Sequence, residues 1–322
     1  MIDAYLHVGG LRFGPADLAV RELARYGIAR GIMVLPPVCP DFDALRRARE
    51  LMGDAVRLVG IPFGDTDARR AELTAWQIAF GITGMRMMPH EITENQSSLD
   101  LMGAAGAWLF AINPCDSAEI TSCLLDWLEK HPSARIASPH FLKPGRLDRM
   151  VADPSSARQL LAHPRFFAIL SRQGATGSTQ PYPHPDLRGW VEDVVAIMGW
   201  EKILWGSEYP VIHWRDETMP CAVRWIRDFL PKTDEGDLTK FIGQNAERLF
   251  FTDPAPNDSA GPAPSWLPSP PHAGLAVPMA QKGIKLPPEA CEKITRLYLE
   301  AHTPESPIVF SEFLARWIER HL

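Results

Sequence analysis

Closely spaced cysteines are missing from this chain. Its 322 residues include five, Cys39, Cys115, Cys123, Cys221 and Cys291, and no two stand in a CxxC arrangement. That excludes a local zinc knuckle or redox dithiol, and the odd count with wide spacing does not suggest a disulfide framework. Positive charge is not in excess either. Lys and Arg number 33 against 39 Asp and Glu, a net charge of −6, so a nucleic-acid-binding surface is not expected. No apolar run approaches the roughly 20 residues of a membrane span, and no basic stretch followed by an apolar one opens the chain as in a signal peptide. Reduced thiols in a cytoplasm, with no membrane partner, are the expected setting.

Hydrophobic residues, at 46%, are distributed in a repeating way. Eight short apolar runs occur at 2–7, 31–35, 56–61, 84–88, 108–113, 134–140, 166–171 and 202–206. They are near-continuous rather than alternating, as parallel strands covered on both faces are. Between them lie segments with helical spacing, for example 16–26, 117–130, 185–200 and 219–229. Eight alternations of strand and helix predict an α/β chain folded as a (β/α)₈ barrel over residues 1–253. Residues 254–287 are rich in Pro, Gly, Ala and Ser, the composition of a linker. Residues 288–322 regain helical spacing, with Phe310, Phe313, Leu314, Trp317 and Ile318 on one face. This C-terminal extension is too small for its own core. It is expected to dock on the barrel or to pair two chains as a homodimer.

Chemistry in such barrels gathers at the C-terminal ends of the strands. There the chain offers Tyr5 and His7 from the first strand, Arg86 and Met88 from the fourth and Asn113 at the end of the fifth. His140 ends the sixth, Ser171 and Arg172 end the seventh, and Glu208 follows the eighth. Arg86 and Arg172 suit a carboxylate, because a guanidinium offers a two-pronged fork. A small anionic molecule is therefore the expected partner. Cys115 has no base beside it in sequence, and His90, His184 and His213 read as histidines of surface loops.

Asp3-Ala4-x-x-His7, Gly84-x-Arg86, Ser138-Pro139-His140, Leu187-Arg188-Gly189-Trp190, Gly206-Ser207-Glu208-Tyr209-Pro210 and Asn245-Ala246-Glu247-Arg248-Leu249-Phe250 together resemble the amidohydrolase superfamily, in its amidohydrolase-2 branch. The resemblance covers about the first 250 residues, and the last two motifs are its more specific part. Metal-dependent members hold a divalent ion with two strand-one histidines, a histidine after strand five and an aspartate after strand eight. Here Tyr5 stands for the first of these histidines, Asn113 for the third, and Glu208 for the aspartate. A catalytic zinc needs about three protein ligands of suitable type, so no tightly held cofactor is expected. The alternative is zinc or another divalent ion on His7, His140 and Glu208.

The resemblance also implies a metal-free scheme, like that of some lactonase members. In it Glu208 activates water, His7 and His140 donate to the oxyanion, and Tyr5, Arg86, Asn113 and Arg172 bind substrate. The expected function is hydrolysis of a C–O or C–N bond, in a lactone, ester or amide of a small carboxylated molecule. The alternatives are a metal-dependent decarboxylase or other lyase of the same branch, and a non-catalytic binding or scaffold barrel.

Overall fold

The structure, a computed structural model, describes residues 1–9, 13–37, 39–115, 117–140, 156–171, 178, 180–212 and 217–267, with Leu297, Arg316 and Arg320 singly. Arg172, His213, most of the C-terminal extension and the pairing expected of it lie outside the described residues.

Eight parallel strands follow one another around a barrel: β1 (Ile2–His7), β2 (Arg30–Val34), β3 (Val56–Gly60), β4 (Gly84–Met87), β5 (Trp108–Ala111), β6 (Arg135–Ser138), β7 (Phe166–Leu170) and β8 (Ile203–Trp205). Around them run α1 (Ala16–Arg25), α2 (Phe42–Met52), α3 (Asp67–Phe80), α4 (Pro89–Glu94), α5 (Gln96–Ala104), α6 (Ala118–Lys130), α7 (Ser156–Ala162), α8 (Arg188–Met198) and α9 (Met219–Phe229). After α9 come α10 (Glu235–Thr239), a π turn over Lys240–Gln244, and α11 (Asn245–Phe250). The expected (β/α)₈ barrel is the observed one. Among the described residues no helix is long and apolar enough to cross a membrane.

Two apolar layers explain why the strands read as continuous runs. Residues such as Leu6, Met33, Leu58, Leu109 and Ile136 pack outward against the helices. Ile2, Ala4, Tyr5, Ile32, Val34, Val59, Phe110, Ala137, Ile169 and Leu204 fill the barrel itself. Its lower end is plugged by α11, whose Phe250 ring lies 4.2 Å from that of Trp108. The side-chain amide of Asn245 donates to the carbonyls of Trp200 (2.6 Å) and Ile203 (2.9 Å), tying the plug to the start of β8. Residues 254–267 lie against the barrel: Ser259 N donates to Ala79 O at 2.8 Å, and Trp266 Nε1 to Glu72 at 2.7 Å.

One helix–strand joint has a testable cost. Gln77 of α3 reaches under β3, where its Nε2 donates to Ile61 O (2.9 Å) and its Oε1 accepts from Ile61 N (3.1 Å). Gly60 makes room, since a Cβ there would fall 1.8 Å from that amide oxygen. Both groups of Ile61 are buried, so Gln77→Leu leaves a backbone donor and acceptor unmet. We expect a loss of about 2–4 kcal/mol in denaturant unfolding. A change under about 0.5 kcal/mol would show the joint to be dispensable.

Candidate active site

The site is built on the seam between β1 and β8. Relative to β2, strand β1 carries one extra residue between Asp3 and Leu6. This bulge turns both Ala4 and Tyr5 toward the interior, where strict alternation would separate them. The Asp3 carboxylate fills the bulge. Its Oδ1 accepts from Tyr5 N (3.1 Å) and Ser207 N (3.0 Å), and its Oδ2 accepts from the Ser207 hydroxyl. Gly206 permits the approach, because a Cβ there would lie 3.0 Å from that of Tyr5. Just beyond the strand, Glu208 N donates to Tyr5 O (2.8 Å) and His7 N to Tyr209 O (2.7 Å). The backbone thus fixes Tyr5, His7 and Glu208 against one another before any side chain is considered.

Strands five and six end earlier than their apolar runs, at Ala111 and Ser138. Pro139 has no N–H to continue the ladder, and Asn113 and His140 follow with φ of +47° and +62°. Glu208 is at +56°. Left-handed backbone is uncommon for residues other than glycine and costs of order 1–3 kcal/mol. Among the described residues four such positions occur, and three of them are candidate site residues; the fourth is His184. The chain turns sharply at these strand ends to aim Asn113, His140 and Glu208, a pattern that strain at functional sites follows.

Two imidazoles face one carboxylate oxygen. His140 Nε2 lies 3.0 Å and His7 Nε2 3.8 Å from Glu208 Oε1. His7 Nδ1 is 3.1 Å from Val34 O, and a carbonyl only accepts, so the proton sits on Nδ1. Burial pulls the His7 pKa below its usual value despite the nearby Glu208, and the Arg86 charge acts the same way. His7 is therefore neutral, with the lone pair of Nε2 toward Glu208. That differs from the donor role expected of it. His140 Nε2 lies close enough to the carboxylate for a proton there to be favoured, and its backbone N–H donates to Ser171 Oγ at 3.1 Å.

Arg86 closes the group. Its Nε donates to the Tyr5 hydroxyl at 3.0 Å and its Nη2 to Met88 Sδ at 3.4 Å. Its Nη1 is buried without a hydrogen-bond partner among the described residues, as is Asn113 Oδ1. With only 7% of Arg86 exposed, such a cation is costly unless something meets it. The Tyr5 ring stands edge-on to both His7 (4.9 Å) and His140 (5.5 Å).

Of the predicted site residues, Tyr5, His7, Arg86, His140 and Glu208 come together in direct contact. Asn113 is buried at the neighbouring strand end, and Arg172 lies outside the described residues. Several supporting contacts were not assigned from sequence, although Ser171 stood at a strand end and Asp3 and Ser207 in motifs. Phe13 stacks on His7 at 4.3 Å, Ser171 holds the His140 backbone, and Asp3 with Ser207 clamps the seam. An acid in a first strand otherwise apolar was the available clue to Asp3. Burial pushes its carboxyl up to about 7, with the Glu208 charge adding to the shift and three hydrogen bonds opposing it. His184 is no surface histidine. It is buried between Gln180 O (2.8 Å) and Glu217 Oε1 (3.1 Å).

The donor set matches a divalent ion only in part. His7 presents a lone pair as a metal ligand would. Its companions do not suit one. His140 turns an N–H toward Glu208, Asn113 offers a neutral amide, and the Tyr5 phenol is occupied by a guanidinium, whose charge would oppose a cation beside it. Among the described residues no three His, Cys, Asp or Glu side chains are disposed to enclose an ion. The residues present do not fit a tightly held metal.

Similar solved structures share the fold. One is a probable 2-pyrone-4,6-dicarboxylic acid hydrolase from Acinetobacter baumannii with citric acid bound (TM-score 0.59, 17% identity, covering 77% of this chain and 98% of that one). Another is an amidohydrolase from Burkholderia multivorans with bound zinc (0.57, 14%, 77% and 98%). A third is 5-carboxyvanillate decarboxylase from Sphingomonas paucimobilis (0.52, 12%, 78% and 98%). No curated protein matches the chain significantly. The profile of the Amidohydro_2 family, described as amidohydrolase, matches residues 8–252, from just past His7 through the α11 plug. With three quarters of its length so matched, this chain belongs to the amidohydrolase-2 family.

Proposed function

We propose that this chain hydrolyses a C–O or C–N bond in a small carboxylated molecule, with Glu208 as the base and without a tightly held metal. The observation that carries the reading is the convergence of two imidazoles on Glu208 Oε1 beside a buried arginine. Glu208 takes a proton from a water whose oxygen attacks the substrate carbonyl. The Tyr5 hydroxyl, polarised by Arg86, meets the oxyanion as it forms, joined by the His140 N–H once Glu208 has taken up the proton and no longer holds it. The bond to the leaving oxygen or nitrogen then breaks and that atom receives the proton from Glu208, so that one water is added. The lone pair on His7 Nε2 lies within reach of the same proton. Arg86 Nη1 binds the substrate carboxylate, as a buried unmet donor is placed to do.

The chemistry named for the Acinetobacter relative, a dicarboxylated pyrone, supplies the first substrate to try. Carboxylated lactones, including 2-pyrone-4,6-dicarboxylate, and matching amides are incubated in ¹⁸O-water. The expected product is the ring-opened or cleaved acid carrying one ¹⁸O. Release of CO₂ from an aromatic acid without ¹⁸O in the product would overturn the reading in favour of decarboxylation. A further expected outcome concerns metal. Exhaustive chelation leaves turnover and melting temperature unchanged within about twofold and about 1 °C, because no binding energy of an ion is removed. A tenfold or greater loss restored by added zinc would refute the metal-free scheme.

A further inference from the structure

A cavity of about 360 Å³ shares none of the residues assigned to the site and is within the range of small-molecule pockets. Its walls come from the loop after β3, from α4 and from Trp266. Trp266 stands beyond the stretch matched by the family, so this wall is a feature of the chain's own C-terminal segment. The Trp266 indole is fixed in place: Nε1 donates to Glu72 at 2.7 Å and the Arg69 guanidinium lies 5.4 Å above the ring. Phe63 supplies a second apolar surface.

The polar lining is incompletely satisfied. Asn95, only 2% exposed, donates through Nδ2 to Glu91 O at 2.7 Å, but its Oδ1 is buried with no hydrogen-bond partner among the described residues. A buried acceptor left unmet costs about 1–3 kcal/mol. Arg70 is held loosely, through Nη1 to Gly64 O at 3.3 Å and with Nη2 3.9 Å from Asp67. Its Nε also lacks a partner. The other lining charges are committed or outward. Asp65 takes both oxygens to Arg69 at 3.0 Å, Glu91 accepts from Met88 N at 2.7 Å, and Glu94 is exposed.

We infer that this cavity binds a small aromatic α-amino acid. Its carboxylate meets Arg70, its ammonium meets Glu94, and its ring packs between Phe63 and Trp266. A zwitterion is the species that answers one under-used cation and one available carboxylate at once. The cavity is wired to the catalytic group. Glu91 lines it and holds the backbone of Met88, whose sulfur receives Arg86 Nη2.

Calorimetry on the full chain with L-tryptophan, tryptamine and indole-3-propionate tests this without any turnover, so its result is independent of the proposed hydrolysis. L-Tryptophan is expected to bind saturably below about 1 mM, and each analogue about tenfold more weakly for its missing ion pair. Arg70→Gln should weaken L-tryptophan about tenfold while leaving tryptamine unchanged, and Glu94→Gln should spare indole-3-propionate. Absence of saturable binding, or equal affinity in Arg70→Gln, overturns the inference. Both variants change solvent-reached side chains, and unaltered melting temperatures verify that they fold.

Discussion

Glu208→Gln is expected to lower kcat/KM for the hydrolysed substrate by about 10³-fold, within the 10²–10⁴ range ascribed to a positioned general base, without a comparable loss of stability. Glutamine has the shape of glutamate and can keep an amide oxygen where Glu208 Oε1 meets the two imidazoles. It has no basic oxygen to receive the proton of water. The loss should therefore fall on kcat, with KM little changed, since Arg86 and not Glu208 meets the substrate carboxylate. Glu208→Asp is informative in the other direction. It retains the acid but withdraws it by about one bond length, on the order of 1.5 Å, and the activity should lie between wild type and the glutamine variant. If Glu208→Gln is as active as wild type on a substrate the enzyme demonstrably hydrolyses, the base is another group. His7, neutral and lone-pair-forward, would then be the candidate left in the site.

The barrel was legible because its strands are covered on both sides. A strand buried on both faces has no polar alternation, and eight such runs separated by helical spacing admit few other folds. The rim was legible at the level of residue types: the fold brings together Tyr5, His7, Arg86, His140 and Glu208, separated along the chain by most of its length. Three things were not legible. Strand ends were overrun, because Asn113 and His140 continue an apolar run while their backbone turns left-handed, and side-chain polarity carries no mark of φ. The bulge in β1 was hidden, since one inserted residue changes facing without changing composition. The protonation of His7 was out of reach, because it depends on the carbonyl of Val34 across a strand pair. In each case the deciding contact is backbone geometry, which residue identity constrains only weakly.

The seam residue Asp3 carries the second large expectation. Asp3→Ala removes the acceptor for two buried backbone N–H groups and one hydroxyl, and should destabilise the fold by about 3–5 kcal/mol. Activity should fall with it even in the folded fraction, because the same groups hold Tyr5 and the turn that aims Glu208. Asp3→Asn separates shape from charge. It keeps an oxygen for both N–H groups and is expected to fold. The sign of its pH effect follows from the direction of the shift. The Asp3 carboxyl lies at about 7 in the folded chain against an ordinary 3.8, so between these values the folded state holds a proton that the unfolded state has lost. Stability from this group is fully present below about pH 4, declines by about 1.4 kcal/mol per pH unit up to about pH 7, and is absent above it. Denaturant unfolding of wild type at pH 5, 6, 7 and 8 should therefore fall more steeply than that of Asp3→Asn between pH 5 and 7, and the two curves should run parallel from there upward. Curves that are parallel over the whole range would show that Asp3 is ionised in the folded chain throughout. The seam would then be held by a carboxylate that its three donors keep charged against the cost of burial.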